Sequence, residues 1–456
     1  MAKNICLIGG DVGSLFLGHY LRQHKLNVKL LSIKKKCNFI NTQYNKSNIF
    51  ECGYYHSFIL NSSQSSYLSS LLRELKLEGE IIESNKYSSN ISFLNCDGRI
   101  YKINKYIPQI CYFIFKDYFF HKFVNVKKNE RLKEFVLKYC NKKIYEDLIT
   151  PYCYHHFGYS PEHILMKSYF PNFLQRLENE KSLFKSIKCL NGDNNKNSNL
   201  FQKNKKVVRF KEGNVLLTNK LIDHFDLYPN TQHFRNIQNL KIICRKGKVK
   251  VSIGRNVIRC DDVVLCLNPL ELKNMLKKKK FQIENKKVLI KHLNSFRCKR
   301  IKITNVCYKK NVLPLSQSLE SLMLVKQNEK NKIISLLYDH NIFSQMGLNS
   351  STEKTSTHEI LYETRLRFMS SETKDEKCVE EINTFLQDIL KLKEGPDLVI
   401  GDTYNVFLFN ERLDKAFKKL INKKYKQLKI FWIFFFFKNL EFCLRETKNF
   451  CNNYYS

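Results

Sequence analysis

Ile5-Cys6-Leu7-Ile8 is an unbroken apolar run, Gly9-Gly10-Asp11-Val12-Gly13-Ser14 follows it directly, Leu15 to His24 carries apolar residues at helical spacing, and Val28-Lys29-Leu30-Leu31 is a second apolar run. A strand that is apolar throughout is buried on both faces, and strand, glycine turn, helix and strand in that order make a βαβ unit of a parallel sheet. The unit places the amides of a helix N-terminus where a pyrophosphate can sit. The fold class expected is therefore α/β, with a Rossmann-type dinucleotide-binding domain.

Against the pattern G-x-G-x-x-G, Gly9 supplies the tight turn, Asp11 holds the place of the second glycine and Ser14 that of the third. Ser14 still permits close helix packing. The Asp11 carboxylate has to turn from a phosphate or pair with a cation such as Lys3 or Lys34. The acidic residue that usually ends the second strand and binds a ribose hydroxyl is replaced by Ser32, whose hydroxyl makes a weaker bond. On these residues alone, dinucleotide binding and a plain α/β turn both stand.

The chain has 456 residues, 43% of them hydrophobic, which excludes a disordered protein and provides for about three domain-sized units. Its charge is 78 − 42 = +36. Alanine occurs only at Ala2 and Ala416 while Lys and Asn are abundant everywhere, the mark of a coding sequence poor in G and C. Most of the excess charge is thus assigned to solvated faces, and no nucleic-acid-binding module is recognised. The sixteen cysteines are scattered without a C-x-x-C pair and read as reduced thiols. Lys3 and Asn4 lead straight into the first strand, which leaves no room for a cleavable signal, so an organelle address would be internal. No apolar run is long enough to span a membrane; the longest candidate is Ile430 to Phe437.

Further along, Asn41 to Ile100 reads as polar loops with a helix around Tyr67 to Leu77. Lys105 to Lys188 reads as a helical subdomain, and 191–206 as an Asn/Lys-rich insertion. Val207 to Phe225 reads as a turn at Gly213 and a helix, and Lys241 to Ile258 as a hairpin about Lys246-Gly247. Asp261 to Leu267 reads as a strand, Pro269 to Leu276 as a helix, and Val288 to Leu293, Arg300 to Tyr308 and Ile333 to Tyr338 as strands, with a long helix near Glu376 to Leu392. Strands from the N-terminus, from near residue 264 and from near residue 432 are expected to share one sheet.

These segments, in this order, resemble the protoporphyrinogen oxidase family, flavoproteins of haem synthesis within the amine-oxidase-like superfamily, over nearly the whole chain. The residues that carry the resemblance are Ile8-Gly9-Gly10 with Leu15; Phe50-Glu51-Cys52-Gly53, similar to F-E-x-G; Leu71-Leu72-Arg73-Glu74-Leu75-Lys76-Leu77, similar to L-x-x-E-L-G-L; and Phe157 with Ser168-Tyr169-Phe170-Pro171, Leu177-Glu178 and Ser182-Leu183. Gly213 with Leu216, Leu217 and Leu221, the strand from Asp261-Asp262-Val263-Val264, and Leu336-Leu337-Tyr338-Asp339 with Phe343 add to it. Departures are Asp11, Ser14 and Ser32; Lys36-Cys37-Asn38-Phe39 in place of R-x-G-G-x; Tyr55 where the family's substrate arginine falls; and Lys438-Asn439-Leu440 before Cys443-Leu444 in place of its small-residue cofactor turn.

The resemblance implies a GR2-like flavoprotein fold: a discontinuous FAD-binding domain (1–60, 205–275 and 400–456), a mixed-sheet substrate domain (61–104 and 276–399) and an inserted helical membrane-contacting subdomain (105–190). It implies oxidation of protoporphyrinogen IX to protoporphyrin IX, with oxygen or a respiratory-chain acceptor reoxidising FAD at the mitochondrial inner membrane. The partners it implies are the tetrapyrrole substrate, a membrane surface and a quinone system or ferrochelatase, with a homodimer compatible. FAD would be held by Gly9, Gly10, Asp11, Val12, Gly13, Ser14, Ser32, Ile33, Gly53, Tyr54, Ile237, Lys438, Asn439 and Leu440.

Flavin carries the redox chemistry in such an enzyme, so the protein needs an apolar slot and a cation for a propionate rather than an acid/base pair. The resemblance implies Leu319 and Leu322, with Phe343 nearby, as the slot, residues that by themselves also read as ordinary core, and Tyr55 or a protonated His56 as the propionate's partner. Tyr106 to Lys128, rich in Phe, Tyr and Lys, suits either an interfacial membrane contact or a buried aromatic helix, and the resemblance implies the former. His155-His156 beside Cys153 is not expected to bind a metal, because adjacent residues of a helix diverge by about 100°. Two alternatives stay open: another amine-oxidase-like flavoprotein, and a porphyrin-binding protein that has lost FAD.

Overall fold

The computed structural model describes residues 2–33, 39–46, 48–54, 56–61, 66–85, 90–112, 130–183, 185–186, 205–245, 248–278, 280–284, 286–314, 320–327, 332–344, 362–408, 411–431 and 440–455. The opening βαβ unit forms as read: β1 (Asn4–Gly9), α1 (Val12–Gln23) and β2 (Asn27–Ser32). β1 lies at the centre of a five-stranded parallel sheet, flanked by β2 and Thr231–Phe234 on one side and by Asp262–Leu265 and Leu428–Ile430 on the other. Three distant stretches of chain thus build one sheet. Its inner strands are mostly apolar because both faces are covered: Ile5 and Leu7 pack with α1, Leu71, Leu217 and Leu444, while Cys6 and Ile8 enter a second core with Ile242, Leu272 and Phe417.

A seven-stranded mixed sheet forms the other large layer. In order across the sheet, its strands are Leu398–Phe407, Cys298–Tyr308, Thr364–Ser370, Ile333–Tyr338, Leu322–Val325, Ile91–Leu94 and Ile100–Lys102. Helices Leu132–Tyr139, Thr150–Phe157 and Pro171–Glu180 lie in the stretch read as helical. The hairpin Leu240–Arg245 with Lys248–Ile253 and the helix Asp375–Asp388 also match their expectations.

Three expectations are corrected. Val288 to Leu293 belongs to a helix, Lys286–Asn294: Leu289 and Leu293, four apart, are buried while Val288 is 45% exposed, so the helical period wins over β-branched composition. The region Asn41 to Ile100 is not mainly loop. It holds the hairpin Thr42–Asn45 with Asn48–Glu51 and several strands of three or four residues, whose partners lie far away in sequence. Finally, a strand begins at Lys205, inside the expected insertion, and runs to Phe210 because it pairs with both Phe58–Asn61 and Ile81–Glu83.

Most of the aromatic stretch Tyr106 to Lys128, from residue 113 on, lies outside the described residues, as do 432–439. Among the described residues no helix is long and apolar enough to cross a membrane.

Candidate functional site: two cavities joined to the glycine turn and the F-E-x-G loop

At the end of β1 the chain turns on two glycines. A Cβ on Gly9 would sit 2.9 Å from the Ser14 Cβ and 3.0 Å from that of Cys266, and Gly10 has φ 139°, a conformation L side chains rarely adopt. Asp11 occupies the N-cap of α1 in extended conformation, with no side-chain cap bond. The Ser14 hydroxyl substitutes for the missing glycine in a specific way: it accepts the Gly10 N–H (3.0 Å) and donates to the Asp11 carbonyl (2.7 Å), closing the turn on itself. Ile33 N–H donates to the Gly9 carbonyl (2.8 Å), and Ile237 N–H to the Ser32 carbonyl (3.0 Å). The sequence-predicted residues Gly9 to Ser14, Ser32, Ile33 and Ile237 therefore gather at one end of the sheet.

A cavity of about 420 Å³ opens there, walled by Gly10, Leu15, Ser32, Thr218, His233 and Arg235 among others. Arg235 Nε donates to His233 Nδ1 (3.3 Å), so the other ring nitrogen, 2.8 Å from Ser32 Oγ, carries the proton and donates to that hydroxyl. Among the described residues that line it there is a cation, Arg235, which is paired with Asp226 (2.7 Å), and no carboxylate; Asp11, 6% exposed, is not part of the lining. A helix N-terminus, a turn on two glycines and a lining without a carboxylate among the described residues fit the adenosine diphosphate portion of FAD. Ser32 and His233 would meet the ribose.

The second cavity, about 250 Å³, is bounded by Tyr54, His56, His155, Leu322, Arg367 and Leu440 with further apolar side chains. The F-E-x-G loop shapes it. Gly53 lies so close to the chain at Asn41 that a Cβ would come within 2.5 Å of the Asn41 nitrogen. Glu51 is buried behind, accepting the Asn214 N–H (2.6 Å) and the Thr42 hydroxyl (3.1 Å); burial raises its pKa to about 7 despite the nearby Arg209 guanidinium. Arg367, from the strand Thr364–Ser370, spans the loop: Nε donates to the Glu51 carbonyl (3.2 Å) and Nη2 to the Gly53 carbonyl (2.6 Å).

Arg367 is 4% exposed, and among the described residues no carboxylate lies within ion-pair distance of it. Burial, then the like charge of Arg209, lowers its pKa to about 10, so it stays cationic at neutral pH. The imidazoles beside it do not share that charge. Desolvation, then Arg367 and Arg209, hold His56 well below its ordinary value, and desolvation does the same to His155, whose Nδ1 lies 2.8 Å from the Ser335 hydroxyl.

This goes against the expectation of a protonated His56: desolvation first, then the two guanidinium groups nearby, favours its neutral form. A pH profile separates the two. With Arg367 as the anchor of a carboxylate, KM stays flat from about pH 6 to about pH 9; anchoring by His56 would make KM climb as the pH rises through about 6.5.

Of the other expected substrate residues, Leu322 lines the cavity and Phe343 does not. Phe343 is 1% exposed and lies under the Arg209 guanidinium, whose Cζ is 4.2 Å from the ring centroid. Its position follows from Asp339, which starts the short helix Asp339–Ile342 and forms a buried two-pronged pair with Arg209 (Nη1 to Oδ2, 2.9 Å). Tyr55, Leu319, Lys438 and Asn439 lie outside the described residues, whereas Tyr54 and Leu440 line the cavity and Gly53 stands next to Tyr54 in the loop behind it. His155 and His156 line the same cavity. Sequence reading missed Arg367. The signal was available: Arg365 and Arg367 alternate in a seven-residue strand that is otherwise mostly apolar and buried at every position.

Neither protein-family models nor curated proteins match this chain. Solved structures do. A protein from Exiguobacterium sp. 255-15, provisionally named protoporphyrinogen oxidase, superposes with a TM-score of 0.73 at 13% identity, covering 100% of this chain and 99% of the other. A reduced UDP-galactopyranose mutase gives 0.66 at 9% identity over 99% and 94% of the two chains. Cyclohexylamine oxidase from Brevibacterium oxydans gives 0.63 at 11% identity over 100% and 99%. At such identities the likeness speaks for the fold alone: this chain shares the mixed α/β architecture of these solved structures along its whole length.

Proposed function

We propose that this chain is an FAD-dependent oxidoreductase of the amine-oxidase-like type, and that its substrate is protoporphyrinogen IX, oxidised to protoporphyrin IX. The observation that carries the reading is Arg367, a buried cation without a carboxylate partner among the described residues, set in the wall of an apolar cavity beside the F-E-x-G loop. Burying a guanidinium costs several kcal/mol unless an anion meets it, so the geometry favours a largely apolar substrate that carries a carboxylate. The similarity to the Exiguobacterium protein supports the same choice.

Bound FAD would supply the hydride acceptor. The chain's own part is to orient and to exclude water. Arg367 fixes a propionate, Leu322, Leu337 and Met369 hold the ring system by apolar contact, and the desolvated His56 and His155 add polar surface without charge. No group needs to act as a strong base, because aromatisation drives the loss of the pyrrole protons. Attachment to the mitochondrial inner membrane and reoxidation by oxygen or a quinone-linked acceptor complete the proposal, on the family resemblance.

One observation favours a second reading. The cavity volume of about 250 Å³ is below the roughly 300–1,000 Å³ of most small-molecule sites, which suits a smaller carboxylate substrate of another amine-oxidase-like flavoprotein. Turnover separates the two: the purified protein with FAD is given protoporphyrinogen IX and, separately, a panel of small amines and unsaturated or amino carboxylates. Appearance of porphyrin fluorescence above the rate of autoxidation supports the first reading, and oxidation of a panel compound with no porphyrin formed replaces it with the second.

A further inference from the structure

On the outer side of the parallel sheet three helices converge on a group of side chains that the proposed oxidation does not use. His19 lies on α1, Glu74 ends the helix Tyr67–Glu74, and His224 lies near the end of the helix Val215–Asp226. One donor atom from each lies within 4.8 Å of the others. His19 Nε2 is 3.2 Å from Glu74 Oε2, near the spacing of about 3.4 Å that two ligands take around a tetrahedral ion with bonds of about 2.1 Å. His19 is buried, whereas Glu74 is 36% exposed, so an ion could enter from solvent.

A cation already bridges two of the three side chains. Arg22 donates to Glu74 (Nη2 to Oε1, 2.7 Å) and, through Nη1, to His224 Nδ1 (3.1 Å). Gln23 Nε2 completes the group, 3.4 Å from Glu74 Oε2. The Arg22 guanidinium also stacks on Tyr228, 3.8 Å from the ring centroid, a contact that can keep it when its hydrogen bonds are given up. We propose that His19, Glu74 and His224 form a divalent-metal site of zinc type, which Arg22 holds in the metal-free protein and yields to the ion. Two imidazoles and one carboxylate with an open fourth position suit Zn²⁺ better than the hard cations, which prefer oxygen alone. Bound metal would tie α1, which begins at the glycine turn, to the helix that contributes Val215 and Thr218 to the larger cavity.

The test is a calorimetric titration of the full chain with Zn²⁺, and with Co²⁺ read by its visible spectrum, after alkylation of accessible thiols such as the exposed Cys96, Cys111 and Cys298. The expected result is one equivalent bound with nitrogen and oxygen ligation, weakened at least ~10-fold by His224→Ala. Arg22→Met should tighten binding, because the competing cation is removed. A merely structural network predicts the opposite: no stoichiometric binding, or binding that ignores His224→Ala, or no gain from Arg22→Met, and any of these overturns the proposal. Circular dichroism of each metal-free variant verifies folding. The outcome is independent of flavin binding.

Discussion

Replacing Arg367 with Met is expected to raise KM for a carboxylate-bearing substrate by roughly 10- to 150-fold while kcat changes little, the loss of one charge-assisted hydrogen bond worth about 1.5–3 kcal/mol. The substitution also removes the donors to the Glu51 and Gly53 carbonyls, so some stability will be lost with it. Two comparisons isolate the binding role. Arg367→Lys keeps the charge without the planar fork and should fall between wild type and Arg367→Met. A substrate whose carboxylates are esterified should bind wild type poorly and lose little more in the variant. An unchanged KM for the free acid in Arg367→Met, with the protein folded, would show that the arginine serves only to brace the loop.

The largest expected effect on stability comes from Arg209. Its side chain is fully buried, paired twice with Asp339, bonded to the His56 carbonyl and stacked on Phe343. Arg209→Met leaves the Asp339 charge buried without its main partner, a loss of about 3–5 kcal/mol. Removing both charges, as Arg209→Met with Asp339→Leu, should recover much of that loss, because an apolar pair has no desolvation cost to offset. Urea unfolding of the two variants decides it: a double variant no more stable than the single one would mean that the pair does not act as a unit. Against the effect of burial, Arg209 holds the Asp339 carboxyl below its ordinary pKa. The contribution of the pair is therefore complete above the unfolded-state pKa of about 3.9 and is lost as the pH falls through the lower folded value.

The parts of this molecule that could be read from sequence are those in which neighbours in the chain are neighbours in space. Ile5 to Leu31 encodes its own strand, turn, helix and strand, and both periodicities are intact there. Lys286 to Asn294 shows the limit: Val288, Leu289 and Ile290 suggest a strand, and only burial of Leu289 and Leu293 on one helical face reveals the helix. The strand Lys205–Phe210 has no local signature, since its partners are more than 120 residues distant in sequence.

The candidate site divides along the same line. Gly9, Gly10 and Gly53 belong to short motifs and are legible as candidates from the sequence. Arg367 reaches the cavity only because the strand Thr364–Ser370 is placed next to Cys298–Tyr308, a pairing that no short motif encodes. Likewise Ser32 reads as a plain loss of a carboxylate until His233 and Arg235 are seen beside it.

Everything proposed about chemistry depends on the glycine turn and its cavity accepting FAD. The direct measurement is the visible spectrum of the folded, purified chain after incubation with excess FAD and removal of unbound cofactor by gel filtration. Flavin absorbance that travels with the protein at close to one equivalent is the result expected here. A well-folded protein that elutes colourless would contradict the flavoenzyme reading.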